Sequence, residues 1–196
     1  MHAVVQKLTL FQQPDLLRHL QTLSPEDRRL RFGTYMKDAA LEHYVNGIDF
    51  AHDKVFGIYG RDMALLGMAH LALDRAHQFA ELGLSVELAQ RGNGYGLTLL
   101  LRAKLHAMNL GYTTLFMHCL SENQIMIHLA RKARLKLVTE QGKVDAHLKL
   151  ETTSYGAVAQ EAVEDHIALV DLLCKQQFQW LFKHPRAASA ANTTRG

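Results

Sequence analysis

Arg91-Gly92-Asn93-Gly94-Tyr95-Gly96 is the stretch on which the reading of this chain turns: three glycines at alternate positions lie between an apolar run ending at Val86 and a helical pattern beginning at Leu97. Glycine adopts backbone conformations closed to other residues and lets the main chain approach a ligand closely. Such a turn ahead of a helix exposes backbone N–H groups beside the positive end of the helix dipole, an arrangement suited to an anion such as phosphate. For the turn taken alone, two readings stand: an anion cradle and a tight packing turn. Its spacing is GxGxG, whereas a dinucleotide fold needs GxGxxG within a βαβ unit, and no Gly-Lys-Ser/Thr follows as a Walker loop requires.

Upstream of the turn, residues 54–59, 65–73 and 79–86 are apolar, β-prone runs separated by Gly60-Arg61-Asp62 and by residues 74–77, which predicts an antiparallel meander. Further upstream, residues 4–11 suit a first strand, and Pro14 and Asp15 open a short helix to Leu20. Ser24-Pro25-Glu26-Asp27 places a cap, a first-turn proline and two acids at the start of a helix through Arg31. Asp38 is expected to cap a helix over 39–50, with Leu41, Tyr44, Val45 and Ile48 on one side. Downstream, Leu99, Leu100, Ala103 and Ala107 mark the buried face of a helix over 97–108. A strand over 112–120, a helix opened by Ser121-Glu122-Asn123 and running to about Arg131, and two strands at 135–138 and 144–150 complete the order.

The last element, residues 157–182, carries Val163, Ile167, Val170, Cys174, Phe178 and Leu181 at steps of three and four, so this stripe is expected to pack on the parent domain. The ten residues 187–196 lack large apolar side chains and are expected to be mobile. The domain organisation expected is a body of residues 1–150, a helical extension over 151–186 and the tail. Its class is α/β in the α+β sense, with a mixed, mainly antiparallel sheet flanked by helices.

Composition excludes several functions. With 196 residues, 48% of them hydrophobic, 21% charged and only 3 Pro, the chain is of the globular class and of single-domain length. Apolar runs such as residues 64–69 are too short to span a bilayer, and Met1 to Lys7 carries no secretory pattern, so no membrane partner and a cytoplasmic location are expected. The net charge of +3 argues against nucleic acid as a partner. Cys119 and Cys174 form no CxxC pair and the twelve histidines show no ligand spacing, so no metal site is expected.

The loop resembles the acetyl-CoA signature of the GNAT acetyltransferase superfamily, Arg/Gln-x-x-Gly-x-Gly/Ala, and the element order over residues 4–150 is similar to that of the family. Asn123, after Phe116-Met117-His118-Cys119-Leu120, resembles an asparagine that many members place beside the pantetheine arm, and the stretch is similar to that of uncharacterised bacterial members. The resemblance implies that backbone groups of Leu84, Ser85 and Val86 pair with the acetyl-pantetheine arm, and that Arg91, Gly92, Asn93, Gly94, Tyr95, Gly96, Leu97 and Thr98 hold the pyrophosphate. It implies acetyl-CoA as co-substrate and transfer to a primary amine of a small molecule, a peptide or a protein lysine, by direct attack on the thioester. Such attack needs a base, an oxyanion donor and an acid for the departing thiolate.

Strand alternation places Glu81, Gly83, Ser85 and Glu87 on one face, opposite Leu82, Leu84, Val86 and Leu88, which makes Glu81 the first candidate base, acting through water. His70 and His118 come second. Where many relatives carry the tyrosine that protonates the thiolate, this chain has Ala130, so Ser121, Cys119, a nearby tyrosine or water would have to supply that proton. The same alanine favours a competing reading, a non-catalytic acyl-CoA sensor, and an interaction module working through the last helix is a third. Arg131, Lys132 and Arg134 are candidates for the 3′-phosphate of CoA, or simply cations at a helix end. Glu42, Asp53, Glu81 and Glu87 would attract an amine if they converge. A homodimer, if formed, is expected to pair through a strand edge or the last helix.

Overall fold

The computed structural model describes residues 3–140, 143–150 and 155–183. Its elements follow the order β1 (Gln6–Leu8), α1 (Gln13–Thr22), α2 (Pro25–Phe32), α3 (Asp38–Asn46), β2 (Lys54–Tyr59), β3 (Leu65–Asp74), β4 (Phe79–Val86), α4 (Tyr95–Asn109), β5 (Thr114–Leu120), α5 (Gln124–Lys132), β6 (Lys136–Glu140), β7 (Lys143–Lys149) and α6 (Tyr155–Lys183). The seven strands form one sheet in the order β1-β2-β3-β4-β5-β7-β6. All neighbours are antiparallel except β4 and β5. This is the mixed, mainly antiparallel α/β architecture expected.

The parallel pair matters most. β4 and β5 are bonded only where Phe79, Ala80 and Glu81 face Thr114, Leu115 and Phe116, and both strands then run on unpaired with each other. Side-chain alternation covers the two sides of the sheet separately. On one side, Leu99, Leu100, Ala103 and Ala107 of α4 are fully buried with Phe56, Leu71 and Leu115. On the other, Leu16, Leu20, Leu41 and Val45 of α1 and α3 are buried against Val55 and Met68.

Several boundaries differ from expectation for local reasons. β1 is three residues long because the chain turns at once into a 3-10 segment, Leu10–Gln12, where the Thr9 N–H donates to the Gln12 side chain at 2.9 Å. Asp38 is the first residue of α3, and Lys37 holds the cap position. That helix stops at Asn46, since Gly47 follows and the Asp49 carboxylate accepts from the Ala51 N–H, a side-chain turn that competes with helix. Ser24 caps α2 as its sequence predicts, accepting from the Asp27 N–H at 3.1 Å, and Gly33 closes it in the left-handed conformation.

The larger correction concerns α6. Val163, Ile167 and Val170 are each more than half exposed and Cys174 is exposed, so the described part of the apolar stripe faces away from the body. What docks is the polar face. α4 presents Arg102, only 4% exposed, and a buried guanidinium requires anionic partners. Glu161 meets it at 2.7 Å, Asp165 also bonds it, and His106 and Asn109 bond Glu161 in turn. Burial pushes Glu161 up, but hydrogen bonds from His106 and Asn109 and the Arg102 contact hold its carboxyl down at about 2. Lys175 donates to the Tyr59 carbonyl at 2.9 Å. The side chains of Phe178 and Leu181, and the tail over 187–196, lie outside the described residues.

Candidate functional site

Where β4 leaves β5, antiparallel pairing continues on its other side, with Val86 opposite Gly67 and the Glu87 N–H donating to the Leu66 carbonyl at 2.9 Å. Along such a ladder, bonded and non-bonded pairs alternate, so the N–H and C=O groups of Leu84 and Val86 point away from β3 into the gap, as does the C=O of Leu82, whose N–H is taken by the last rung of the β5 pairing. The gap opens a cavity of about 330 Å³ whose far wall is the start of α4. Gly92 and Gly94 hold φ of 84° and 80°, a left-handed backbone that other residues adopt at a cost. Gly96 lets α5 approach closely: a Cβ there would lie 2.9 Å from the end of the Leu129 side chain, which would have to shift. The Thr98 N–H is the first in α4 to reach a helical acceptor, the Gly94 carbonyl at 3.0 Å. Helix geometry leaves the N–H groups of Tyr95, Gly96 and Leu97 ahead of it without one.

Of the residues the sequence analysis assigned to cofactor binding, Leu84, Ser85, Val86, Arg91, Gly92, Gly94, Tyr95, Gly96, Leu97 and Asn123 line this cavity. Asn93 and Thr98 do not; the Asn93 amide donates to Gln90 and the Thr98 hydroxyl to the Gly94 carbonyl. Three of the lining side chains have structural engagements. Arg91 pairs with Asp27 at 2.6 Å, which ties the loop to α2. The Asn123 carbonyl caps α5 by accepting from the Met126 N–H, while its amide donates to the Leu30 carbonyl. The Ser85 hydroxyl meets Nε2 of His19 at 2.9 Å, and Nδ1 of that imidazole donates to the Leu65 carbonyl at 2.8 Å. A carbonyl only accepts, so Nδ1 carries the proton and Nε2 accepts from Ser85. Burial keeps His19 neutral, pushing it down to about 4.

A second cavity, of about 440 Å³, adjoins the first and shares with it Leu30, Arg31, Leu82, Gly83, His118 and Cys119. Its polar lining is a chain of hydrogen bonds. The Tyr44 hydroxyl is 2.7 Å from Nδ1 of His70, and Nε2 of His70 is 3.0 Å from Asp53. With His70 neutral, Nε2–H donates to Asp53, Nδ1 accepts from the Tyr44 hydroxyl, and the Tyr44 oxygen accepts from Arg31 at 3.3 Å. Burial pushes the Tyr44 phenol up, with the Arg31 charge opposing it. Burial also acts to raise Asp53, yet the His70 hydrogen bond holds it below the usual carboxylate range.

Among the expected catalytic residues, Glu81 lines this second cavity and is exposed, on the same face of β4 as Gly83. His118 lines both cavities, with Nδ1 2.7 Å from Asp145. Ser121 lines neither, and its carbonyl accepts from Gln124. Cys119 lines both; its thiol is pushed up by burial and donates to the Val144 carbonyl. Ala130 is fully buried in the core. From the basic run only Lys132 reaches the first cavity, and Arg131 and Arg134 line neither. The four acids do not converge: Glu42 and Glu87 line neither cavity, and Asp53 stands behind the second, hydrogen-bonded to His70. Leu88 leaves the expected alternation, because the strand ends at Val86 and a 3-10 turn follows. Sequence reasoning missed Arg31 and Tyr44, which nothing in the local pattern distinguishes from ordinary helix residues.

Among the described residues no group of three or more His, Cys, Asp or Glu side chains could hold a metal ion, and no helix is long and apolar enough to cross a membrane. The chain is similar in structure to the GNAT domain of S. lividans PAT, with a TM-score of 0.63 and 18% identity over 74% of this chain and 89% of that one. It is similar also to an N-acetyltransferase from Staphylococcus aureus Mu50, with a TM-score of 0.59 and 18% identity over 77% of this chain and 100% of that one. A third likeness is to yncA, a putative acetyltransferase from Salmonella typhimurium solved with its cofactor acetyl-CoA, with a TM-score of 0.59 and 14% identity over 79% of this chain and 97% of that one. Comparison with curated protein sequences gives no match. At these identities the structures speak for the fold, and the family rests on the sequence itself: the model of the acetyltransferase (GNAT) family matches residues 17–134, more than half of the chain, which therefore belongs to the GNAT family of acetyltransferases.

Proposed function

We propose that this chain is an acetyl-CoA-dependent N-acetyltransferase that passes an acetyl group directly to a primary amine, with residues 1–150 as the catalytic body and α6 as its docked extension. The observation that carries the reading is the separation of β4 from β5 above the start of α4. An extended acyl-pantetheine arm fits there: the gap-facing N–H and C=O groups of Leu84 and Val86, with the Leu82 carbonyl, can pair with its amides as an added strand would. The first-turn N–H groups of α4, reached past two left-handed glycines, suit its pyrophosphate. Lys132 is the cation at hand for a further phosphate. Bound there, acetyl-CoA supplies an activated acyl carbon, and its thiol, with a pKa of roughly 8.5 if it behaves as a free cysteine, is a tolerable leaving group without a tyrosine acid.

Glu81 receives the amine proton through water, since it lines the adjoining cavity and is open to solvent. His118 is the second base, and Ser121, outside both cavities, is the least suited of the three. The test is calorimetric titration of the ligand-stripped protein with acetyl-CoA and with CoA, beside an Arg91→Ala, Gly94→Ala variant. Saturable binding is expected, weakened at least about 100-fold in the variant through left-handed strain and lost backbone approach. No binding by folded protein would sink the reading. Binding without turnover of any amine would favour the acyl-CoA sensor, for which Ala130 speaks.

A further inference from the structure

Arg31 stands where the two cavities meet, and among the described residues no acid pairs with it. Its Nη2 donates to the Tyr44 hydroxyl and its guanidinium lies 4.9 Å from the Phe32 ring, but among the described residues no carboxylate lies within ion-pair distance. Its Nε is buried with no hydrogen-bond partner. The contrast with the other cations on this side is direct, since Arg28, Arg29 and Arg91 are each held by an acid at 2.7 Å or less.

The backbone makes room for this placement. At Gly83 an added Cβ would lie 1.8 Å from Nη2 of Arg31, so the guanidinium rests against the strand where any other residue would put a side chain. His70 is the cross-strand partner of Gly83. Two residues along the same face, about 6.8 Å at the usual strand rise, stands Glu81, which lines the second cavity with Arg31. The cavity thus presents, among its lining side chains, one unpaired cation and one carboxylate, the cation resting at Gly83 and the carboxylate two residues along the same strand face.

We infer that the acceptor is a small zwitterion, a primary amine carrying a carboxylate close to it as an α- or β-amino acid does, with Arg31 binding the carboxylate. This rests on the proposed acetyl transfer and names the substrate class of that same site. An arginine fork matches a carboxylate with two parallel N–H donors, and the buried Nε is the kind of donor that such a ligand satisfies. Because Arg31 borders both cavities, the carboxylate it holds lies near the acyl end of the first, and only a short link between carboxylate and amine leaves the amine in reach of that point. The ammonium side is drawn toward Glu81, where its proton is lost before the C–N bond forms and the C–S bond breaks. A polycationic amine would meet an uncompensated positive charge instead.

The test is an acetyl-transfer screen, read by release of free thiol, over the common amino acids, each beside its α-carboxamide, which keeps the amine and removes the charge. Turnover is expected with one or more of the acids and at least about 10-fold lower kcat/KM with the matching amide. Arg31→Met should remove most of that preference through KM of the acid while acetyl-CoA affinity changes less than about 3-fold, and Arg31→Lys should restore part of it. Gly83→Ala, which displaces the guanidinium without removing it, should act in the same direction should Arg31→Met fold poorly. Equal or better turnover of amides or carboxylate-free amines would overturn the inference, as would loss of acetyl-CoA affinity in Arg31→Met comparable to the loss in KM. So would a protein that binds acetyl-CoA and acetylates none of the acids. Absence of acetyl-CoA binding in the unaltered protein is a different result and sinks the parent reading.

Discussion

The two faces of β4 are built on opposite principles. Leu82 and Leu84 face the α4 side and pack into an apolar core, so that beside them the gap offers a ligand main chain. Gly83 and Ser85 face the α1 to α3 side, where side chains meet in defined hydrogen bonds: Ser85 with His19, and Arg31 over Gly83 with Tyr44, His70 and Asp53 behind it. The first face would bind any ligand with the right extended backbone and anionic end. The second selects, because each buried polar group on it must be satisfied by a particular partner. One strand thus carries a general binding surface and a discriminating one, separated by the thickness of its own pleat.

The contrast can be broken most severely on the apolar face. Leu99→Ala removes a fully buried side chain from the middle of α4 and is expected to cost about 2–5 kcal/mol, which urea unfolding will read as a lower midpoint with an unchanged slope. A change of under about 1 kcal/mol would mean that the core collapses around the gap.

The polar face responds to pH where the apolar one does not. His19 is held neutral down to about 4, below its ordinary 6.5, so between these values the unfolded chain binds more protons than the folded one. Stability must then fall as pH drops through that window and be fully present above it. The loss is on the order of 3 kcal/mol for a shift of this size. A His19→Leu variant should lose the His19 part of this slope, which unfolding curves at pH 7 and pH 4.5 will compare. An unchanged slope would assign the acid sensitivity elsewhere.

The smallest effect sharpens the comparison. Tyr44→Phe keeps the ring and removes one hydroxyl that accepts from Arg31 and donates to His70, so a loss of about 1 kcal/mol is expected. Its signature lies in function. Freed of its tether, Arg31 should lose preference for one acceptor over another while acetyl-CoA affinity, proposed to rest on the β4 main chain and the start of α4, stays as it was. Equal changes in both would show that the faces are not independent.

This division also explains what the sequence disclosed. The glycine turn, the alternation along β4 and the face of α4 are contiguous patterns, each decided by neighbours in the chain, and the sheet and the left-handed turn ahead of α4 followed from them. The discriminating face is assembled from residues 31, 44, 53 and 70, on α2, α3, the approach to β2 and β3, and no local spacing connects them. The same limit applies to α6. Its apolar stripe pointed to inward packing, but Arg102 and His106 of α4, buried in mid-helix, called for acids and so turned Glu161 and Asp165 inward. A charge buried on one element had reversed the orientation of another more than fifty positions away.

The outer strands of the sheet carry a consequence for the company this molecule keeps. One margin is β1, of three residues, and the other is β6, of five. Unpaired strand margins are templates on which stray chains add and fibrils grow, and short ones offer an incoming strand few rungs. The part of β4 beyond Glu81, which β5 leaves unpaired, lies inside the sheet within a cleft, where a slender extended molecule can enter and another protein's strand, flanked by neighbours of its own, cannot.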